Sequence, residues 1–315
     1  MKLDKIDIKL LSELMRDSRT PLTALSKKLK TSRKIVSYRI EKLQKENIIL
    51  NFVTEIDYSK LGYMGVAVFI NIKAKKQKEF KEYLNKCNFI SWVSELSGVW
   101  RFGFSIIGKS EKELDFKFIS IYKEFKDDII DHRFTLHKKS SFFYEKYFGT
   151  VIDKDLEKPK KLIDYKVDSK DKLILKELSN NSRLDYVSLS KKVKLTPPAV
   201  RTRIKHLEKS GIISKYSIFV SLYNLNLYQY SVFITNKNID VHERFLGYLS
   251  LHKKVSFIAE YVGDPFLEFG IFVENPYDLR DILQEIEESF PDNKIIEVSL
   301  FQKEFISVSP PECIF

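Results

Sequence analysis

The sequence predicts an α+β chain in which two winged helix-turn-helix modules alternate with two ferredoxin-like β-α-β-β-α-β units. Three observations predict it. Residues 4–49 lie over residues 168–213 without a gap, and nineteen of the forty-six positions are identical. Inside each copy, apolar residues recur at helical spacing in three short runs broken by turn and cap residues. After each copy, apolar β-rich runs and amphipathic runs follow one another in the same order.

The identities include Asp4/Asp168, Asp7/Asp171, Ser18-Arg19/Ser182-Arg183, Leu25-Ser26-Lys27-Lys28/Leu189-Ser190-Lys191-Lys192 and Arg39-Ile40/Arg203-Ile204. Agreement on this scale marks an internal duplication. In the first copy Ile6, Leu10, Leu11 and Leu14 make one helical stripe. Leu22, Leu25 and Leu29 make a second after Thr20-Pro21, and Lys30-Thr31 is a short turn. Ser32 then caps a third helix whose apolar stripe is Val36, Ile40 and Leu43. Asn47 stands where a left-handed helix end is wanted, and Gly211 stands there in the second copy. Thr196-Pro197 opens the second copy's third helix as cap and first helical residue. IILNFVTEID and IISKYSIFVS are expected as strand pairs, one hairpin wing per copy.

The intervening segments predict a strand at 64–73, a helix at 75–87, strands in ISWVSELSG and WRFGFSIIG, a helix at 110–128 and a strand at 130–145. The order repeats at 227–237, 241–252, 255–263, 266–274, 276–290 and 294–308. The expected boundaries are 1–60 and 167–226 for the helix-turn-helix modules, 61–148 and 227–315 for the ferredoxin-like units, and a charged linker at 149–166.

Composition narrows the function classes. A chain of 315 residues, 43% hydrophobic, has ample material for several cores. No window approaches the roughly 18 consecutive apolar residues that span a bilayer. The start MKLDKIDIKLL has no apolar core of the kind a signal peptide needs, so a cytoplasmic protein with no membrane association is expected. Cys87 and Cys313 have no metal or redox spacing and are expected as reduced thiols. The tail ECIF is not a prenylation box, because Cys313 is third from the end. The net charge is +11 and unevenly placed. Residues 1–60 hold 14 Lys/Arg against 8 Asp/Glu, and residues 161–226 hold 14 against 6. The surplus therefore sits in the duplicated segments, as expected of modules that bind a polyanion.

The string LDKIDIKLLSELMRDSRTPLTALSKKLKTSRKIVSYRIEKLQKENII resembles the N-terminal domain of the Lrp/AsnC family of transcription regulators. VDSKDKLILKELSNNSRLDYVSLSKKVKLTPPAVRTRIKHLEKSGII does so again, and IDYSKLGY resembles the family's exit into its second domain. The resemblance implies a sequence-specific regulator of transcription that binds double-stranded DNA, and no enzyme. It implies that the ferredoxin-like units are regulatory domains that assemble subunits into homo-oligomers and bind a small-molecule effector. No cofactor is expected. The tandem order resembles fused archaeal regulators of this family. One chain then supplies two unlike recognition helices, a covalent pseudo-dimer.

By 100° steps the first copy's third helix turns Lys34, Ser37, Tyr38, Glu41 and Lys45 outward. The early residues of a recognition helix reach bases and the later ones reach backbone. Arg33, Lys34, Ser37 and Tyr38 are thus candidates for the groove, and Lys42 and Lys45 for phosphate. The second copy offers Pro197, Pro198, Arg201 and Thr202, with Lys205, His206 and Lys209 further along. Arg201 suits the edge of a guanine. Ser32 and Thr196 can cap and also meet a phosphate, and Lys27-Lys28 and Lys191-Lys192 end the second helices. Arg39 and Arg203 suit either an ion pair with a first-helix carboxylate (Asp7/Asp171 or Glu13/Glu177) or a phosphate.

Family members often carry Gly-x-x-Asp beside the effector cleft. Here the matching positions read Gly98-Val99-Trp100-Arg101 and Gly263-Asp264-Pro265-Phe266. The acid is replaced in one copy and shifted in the other, which speaks against capture of an amino acid by its ammonium. Arg101 suits either a carboxylate or phosphate ligand or a structural role at a subunit interface. The alternative function is a siroheme-decarboxylase-like enzyme, since such enzymes resemble this family and occur fused in pairs. It needs His and Arg lining a tetrapyrrole cleft in the sheet, and none of His132, His137, His206, His242 and His252 falls in VSELSGVWRFGF or IAEYVGDPFLEF, where that cleft is expected. A sensor whose helix-turn-helix modules no longer bind DNA would not keep two basic faces.

Overall fold

The computed structural model describes residues 3–149, 162–236, 238–263, 265–306 and 311–315. The first quarter of the chain contains α1 (Lys5–Arg16), α2 (Leu22–Lys28), α3 (Arg33–Lys45) and β1 (Ile49–Ile56). Next come β2 (Met64–Ile72), α4 (Gln77–Lys86), β3 (Ile90–Ser97), β4 (Phe102–Gly108), α5 (Glu111–Phe125) and β5 (Ile129–Phe142). The order then repeats as α6 (Ser169–Asn180), α7 (Tyr186–Val193), α8 (Pro197–Lys209) and β6 (Ile213–Val220). It closes with β7 (Tyr228–Asn236), α9 (His242–Leu251), β8 (Val255–Val262), β9 (Leu267–Val273), α10 (Asp278–Ser289) and β10 (Asn293–Ile306). The chain divides into two compact units, one of Met1–Tyr63, Asp153–Leu225 and Val308–Phe315, the other of Met64–Ile152 and Asn226–Ser307. Most of the expected linker lies outside the described residues, at 150–161.

In the first unit α1 and α6 each open on a capping box. Asp4 accepts from the N–H groups of Ile6 and Asp7 at 2.8 Å, and Asp7 reaches back to complete a capping box. Asp168 and Asp171 repeat it at α6. The hairpin wings do not form. β1 and β6 are single unbroken strands, and they pair with each other, antiparallel. Neither decapeptide contains a glycine or a proline, and so neither has the Asn-Gly or Asp-Gly pair that makes a tight hairpin; each strand takes its partner from the other copy. Val53 lies opposite Ser217, its own equivalent 164 residues on, so a pseudo-two-fold axis passes between them. α1 packs on β6 and α6 on β1. Thr54 Oγ1 donates to the Leu178 carbonyl at 2.7 Å, and Ser217 Oγ to that of Met15 at 2.9 Å. The hydroxyls of Ser18 and Ser182 meet at 2.6 Å.

The chain end departs from the expected boundary. Residues 311–315 belong with the helical unit rather than with the last sheet. Ile314 is fully buried, Phe315 packs on the core around Ile174 and Leu178, and Lys172 Nζ holds the Ile314 carbonyl at 2.9 Å. The apolar area of these two residues is what draws the segment there.

The second unit is one closed antiparallel barrel of eight strands. Each half has the order β3-β4-β2-β5 or its repeat β8-β9-β7-β10, and the halves join through β5–β8 and β10–β3. Helices α4 and α5 cover Val66, Val68, Phe102 and Phe104 on one face, and α9 and α10 do the same for Val232, Phe269 and Ile271. The opposite face is shared by both halves and holds Ala67, Phe69, Leu96, Trp100, Phe233, Ala259 and Tyr261. Phe69 meets its own equivalent, Phe233, edge to face at 4.9 Å. Gly270 has to be glycine: a Cβ there would lie 2.3 Å from the Phe257 ring.

Candidate nucleic-acid interface

α3 and α8 each follow a helix of seven or eight residues and a tight turn. The turn places Lys30 and Lys194 in left-handed backbone, φ 51° and 55°. Ser32 Oγ accepts from the Ile35 N–H at 3.2 Å, and Thr196 Oγ1 from that of Ala199 at 3.4 Å. Asn47 and Gly211 end the two helices with φ 53° and 72°. α3 buries Val36, Ile40 and Leu43, and α8 buries Val200, Ile204 and Leu207, so the opposite faces point outward. The two N-termini differ chemically. α3 starts with Arg33 and Lys34, whose N–H groups lie outside the helical ladder. α8 starts with Pro197 and Pro198, which have no N–H to offer an anion.

Arg33, Lys34, Tyr38 and Lys45 are exposed, while Ser37 and Lys42 are half-buried. Ser37 Oγ donates to Glu41 at 3.2 Å. In the second copy Pro198, Arg201, Thr202, Lys205 and Lys209 are exposed and Pro197 is half-buried. His206 is half-buried against the Tyr165 ring, 5.2 Å between centroids, so its side chain does not stand free on the outward face. The Ile163 N–H meets the Lys209 carbonyl, and Leu162 lies over Gly211. The segment before α6 thus lies against the C-terminal end of α8 at His206, the Lys209 carbonyl and Gly211, and leaves the Lys205 and Lys209 side chains exposed. The equivalent stretch of α3 is an open, shallow cavity of about 190 Å³ lined by Tyr38, Glu41, Lys42, Lys45 and Glu46. Sequence periodicity passed over Ile35. It adjoins the core residue Val36 in sequence, yet it is 44% exposed on the first turn of α3.

Arg39 and Arg203 take the ion-pair role. Arg39 Nη1 lies 2.7 Å from Asp4 Oδ2 and 2.6 Å from Asp7 Oδ1, and Arg203 repeats this on Asp168 and Asp171 at 2.8 and 2.9 Å. Hydrogen bonds to Asp4 and then Asp7 raise the Arg39 pKa. The backbone N–H of Asp7, then the Arg39 guanidinium, hold Asp4 below the usual carboxylate range. Each arginine ties the third helix of its module to the capping box of the first. Glu13 and Glu177 pair instead with Lys28 and Lys192, both at 2.5 Å. All four lysines that end α2 and α7, Lys27, Lys28, Lys191 and Lys192, are nevertheless exposed.

In the barrel unit Gly98 and Gly263 adopt φ 134° and 109°, and Arg101 is exposed. Asp264 lies outside the described residues. The guanidinium that joins the two halves is that of Arg133, bound to Glu297. The expectation that histidines stay away from the cleft strands needs correction. His137, on β5, sits 3.4 Å from Ser105 Oγ and 5.2 Å from the Tyr261 ring. His242 lies 3.2 Å from Glu260 and against Phe266. Pairing of β5 with β8 brings His137 to a strand far from it in sequence. Burial pushes the His137 pKa down to about 4, so the ring is neutral near pH 7. Among the described residues no group of three or more His, Cys, Asp or Glu side chains could hold a metal ion, and no helix is long and apolar enough to cross a membrane.

Residues 3–44 match the model of the AsnC-type helix-turn-helix domain, and residues 167–214 match that of a winged helix-turn-helix DNA-binding domain. The chain is 37% identical over 121 residues to the HTH-type transcriptional regulator LrpC of Bacillus subtilis, covering 38% of this chain and 83% of that one. It is 31% identical over 121 residues to the HTH-type transcriptional regulator LrpA of Pyrococcus horikoshii, covering 37% and 83%. Among solved structures, the siroheme decarboxylase NirDL superposes with a TM-score of 0.66 over 98% of this chain and 94% of that one, at 14% identity. That likeness extends to the tandem fold alone. With two capped recognition helices in place, and with regulators of this type matched over most of their length, the chain belongs to the Lrp/AsnC family of DNA-binding transcription regulators.

Proposed function

We propose that this regulator binds double-stranded DNA in the cytoplasm as a single-chain pseudo-dimer whose two recognition helices read unlike half-sites. One observation carries the reading: strand exchange between β1 and β6 binds two helix-turn-helix modules into one unit, and their outward side chains differ at nearly every position. In the first module Arg33, Lys34, Ser37 and Tyr38 meet the groove, while Lys42 and Lys45 meet phosphate. In the second, Arg201 and Thr202 meet bases, Pro197 packs at the helix entry, and Lys205 and Lys209 meet phosphate. Ser32 and Thr196 sit where a cap hydroxyl can also face a phosphate. An exposed Arg201 reads guanine through paired bonds. Binding sites selected from a random duplex library at fixed salt test this. The expected site is an imperfect pair of half-sites, bound with a steep negative dependence of log affinity on log salt, as roughly 6–10 phosphate contacts require. A flat salt dependence, or a perfect palindrome bound by a chain that is monomeric in light scattering, overturns it.

The barrel unit is the regulatory part of this reading, with the positions Gly98, Arg101, Gly263 and Asp264 as the effector cleft. Arg101 suits an anionic effector. Phe116, Ile119, Ile130 and Phe134 are exposed on the first half of the barrel and support homo-oligomer formation through it. A second reading, a tetrapyrrole enzyme, draws support from the full-length fold likeness and from His137 on β5 and His242 on α9, which lie against Tyr261, Glu260 and Phe266 of the cleft segment. Titration with siroheme separates the two: tight binding with loss of substrate carboxylates identifies the enzyme, and unchanged substrate identifies the regulator.

A further inference from the structure

The first turn of α3 carries a feature that the electrostatics of DNA binding do not explain. Ile35 is 44% exposed and Tyr38 is 64% exposed. They stand three residues apart, so they are neighbours on one helix face. Their equivalents on α8 are Ala199 and Thr202, which are small. The side chains around them include the cations Arg33, Lys34 and Lys42, with Glu41 beside Tyr38, and Ser37 is turned aside onto Glu41. An exposed apolar residue by itself is ordinary. A pair at the base-reading end of a recognition helix, flanked by cations and absent from the sister helix, calls for an apolar partner within a polyanion. The floor of the major groove offers one prominent group of that kind, the C5-methyl of thymine. A 5-methylcytosine presents the same methyl.

We propose that Ile35 and Tyr38 read the C5-methyl group of a pyrimidine, so that the half-site of the first module is specified by thymine methyls while that of the second is specified by guanine through Arg201. The inference rests on the DNA-binding reading and deepens it. Ile35 supplies the contact surface. Its N–H is held by Ser32 Oγ, which fixes the turn that presents it. Tyr38 closes the other side of the methyl, with Arg33 and Lys34 beside it in the groove and Lys42 and Lys45 toward the flanking phosphates. α8 has no counterpart, because Ala199 is too short to reach and Pro197-Pro198 remove both the cations and the amide donors.

The test uses the full chain and a duplex recovered by selection. Each thymine is replaced in turn by deoxyuridine, which removes only the methyl. One or two positions in a single half-site are expected to lose about three- to fivefold in affinity, the worth of one buried methyl. Ile35→Ala is expected to bind the thymine and deoxyuridine duplexes equally, and Ile35→Val to fall between. A 5-methylcytosine·guanine pair at the sensitive position separates the two sources of the methyl: recovered affinity means either pyrimidine serves, and affinity no better than deoxyuridine means thymine alone. Steep salt dependence with a flat deoxyuridine scan overturns this inference and leaves the DNA-binding reading intact. So does an Ile35→Ala chain that keeps the full deoxyuridine penalty. Absence of any duplex binding at low salt overturns both.

Discussion

Arg133 and Glu297 occupy equivalent positions in the two halves of the barrel, 164 residues apart, and they bind each other. Nη1 lies 2.8 Å from Oε2 and Nη2 lies 2.6 Å from Oε1, a two-pronged pair. Trp100 Nε1 donates to the same carboxylate at 2.7 Å, and the guanidinium lies 5.1 Å from the Trp100 ring centre. In a dimer of identical subunits one residue type would face itself here, as Phe69 faces Phe233. Duplication allows an acid to face a base, so each half of the barrel fits the other better than it fits a copy of itself.

Reversing one charge should therefore be costly and reversing both should not. Arg133→Glu places two carboxylates together in a mostly buried site, and about 3 kcal/mol of stability is expected to go. Glu297→Arg should cost about as much. The double exchange should recover most of the loss but not all, because Trp100 Nε1 then loses its acceptor. Urea midpoints of the four chains decide it. A double exchange no more stable than either single variant would refute the pairing.

A second prediction concerns Glu268, which the first half replaces with Gly103. It is buried on β9 and accepts from the Ser231 and Tyr261 hydroxyls. Burial pushes its pKa up to about 7. Between the ordinary value of 4.5 and 7 the folded chain holds a proton that the unfolded chain releases, so stability falls as pH rises through that window. His137 works the other way. Its folded pKa of about 4 lies below the ordinary 6.5, so its contribution is full above 6.5 and is lost as pH falls toward 4. Glu268→Gln should remove the falling slope and expose the rising one, a change of about 1–3 kcal/mol between pH 5 and 7. His137→Phe, the residue its equivalent Phe301 already is, should do the reverse. Denaturant midpoints from pH 5 to 8 measure both, and parallel curves for Glu268→Gln and the parent would count against the assignment.

The strand exchange makes a third. Ser18→Ala and Ser182→Ala each leave one buried hydroxyl without its partner, and each should cost about 1 kcal/mol. The double variant should cost less than the sum, because the contact is lost only once. Strict additivity would mean that the two modules do not touch at these residues.

The sequence by itself determined the parts whose causes are local. Asp4-x-x-Asp7, Ser32, Thr196-Pro197, Asn47 and Gly211 act within four residues of themselves, and the helices start and stop where those residues stand. The duplication also made the order of elements legible, since each half repeats the other at an offset of 164 or 165 residues. Arg39 and Arg203 were legible down to two alternatives, and packing of α3 beside the capping box chose the ion pair. Only the tertiary structure decided what depends on partners far away in sequence. An eight-residue strand does not state which strand it joins, so β1–β6 exchange, the closed barrel and the Arg133–Glu297 pair could not be read from spacing. The same holds for His137, carried to Tyr261 by β5–β8 pairing, and for Tyr165, folded over His206. Ile35 escaped for a related reason: whether an apolar residue beside a core stripe is buried depends on what packs there, and among the described residues nothing covers it at the first turn of α3.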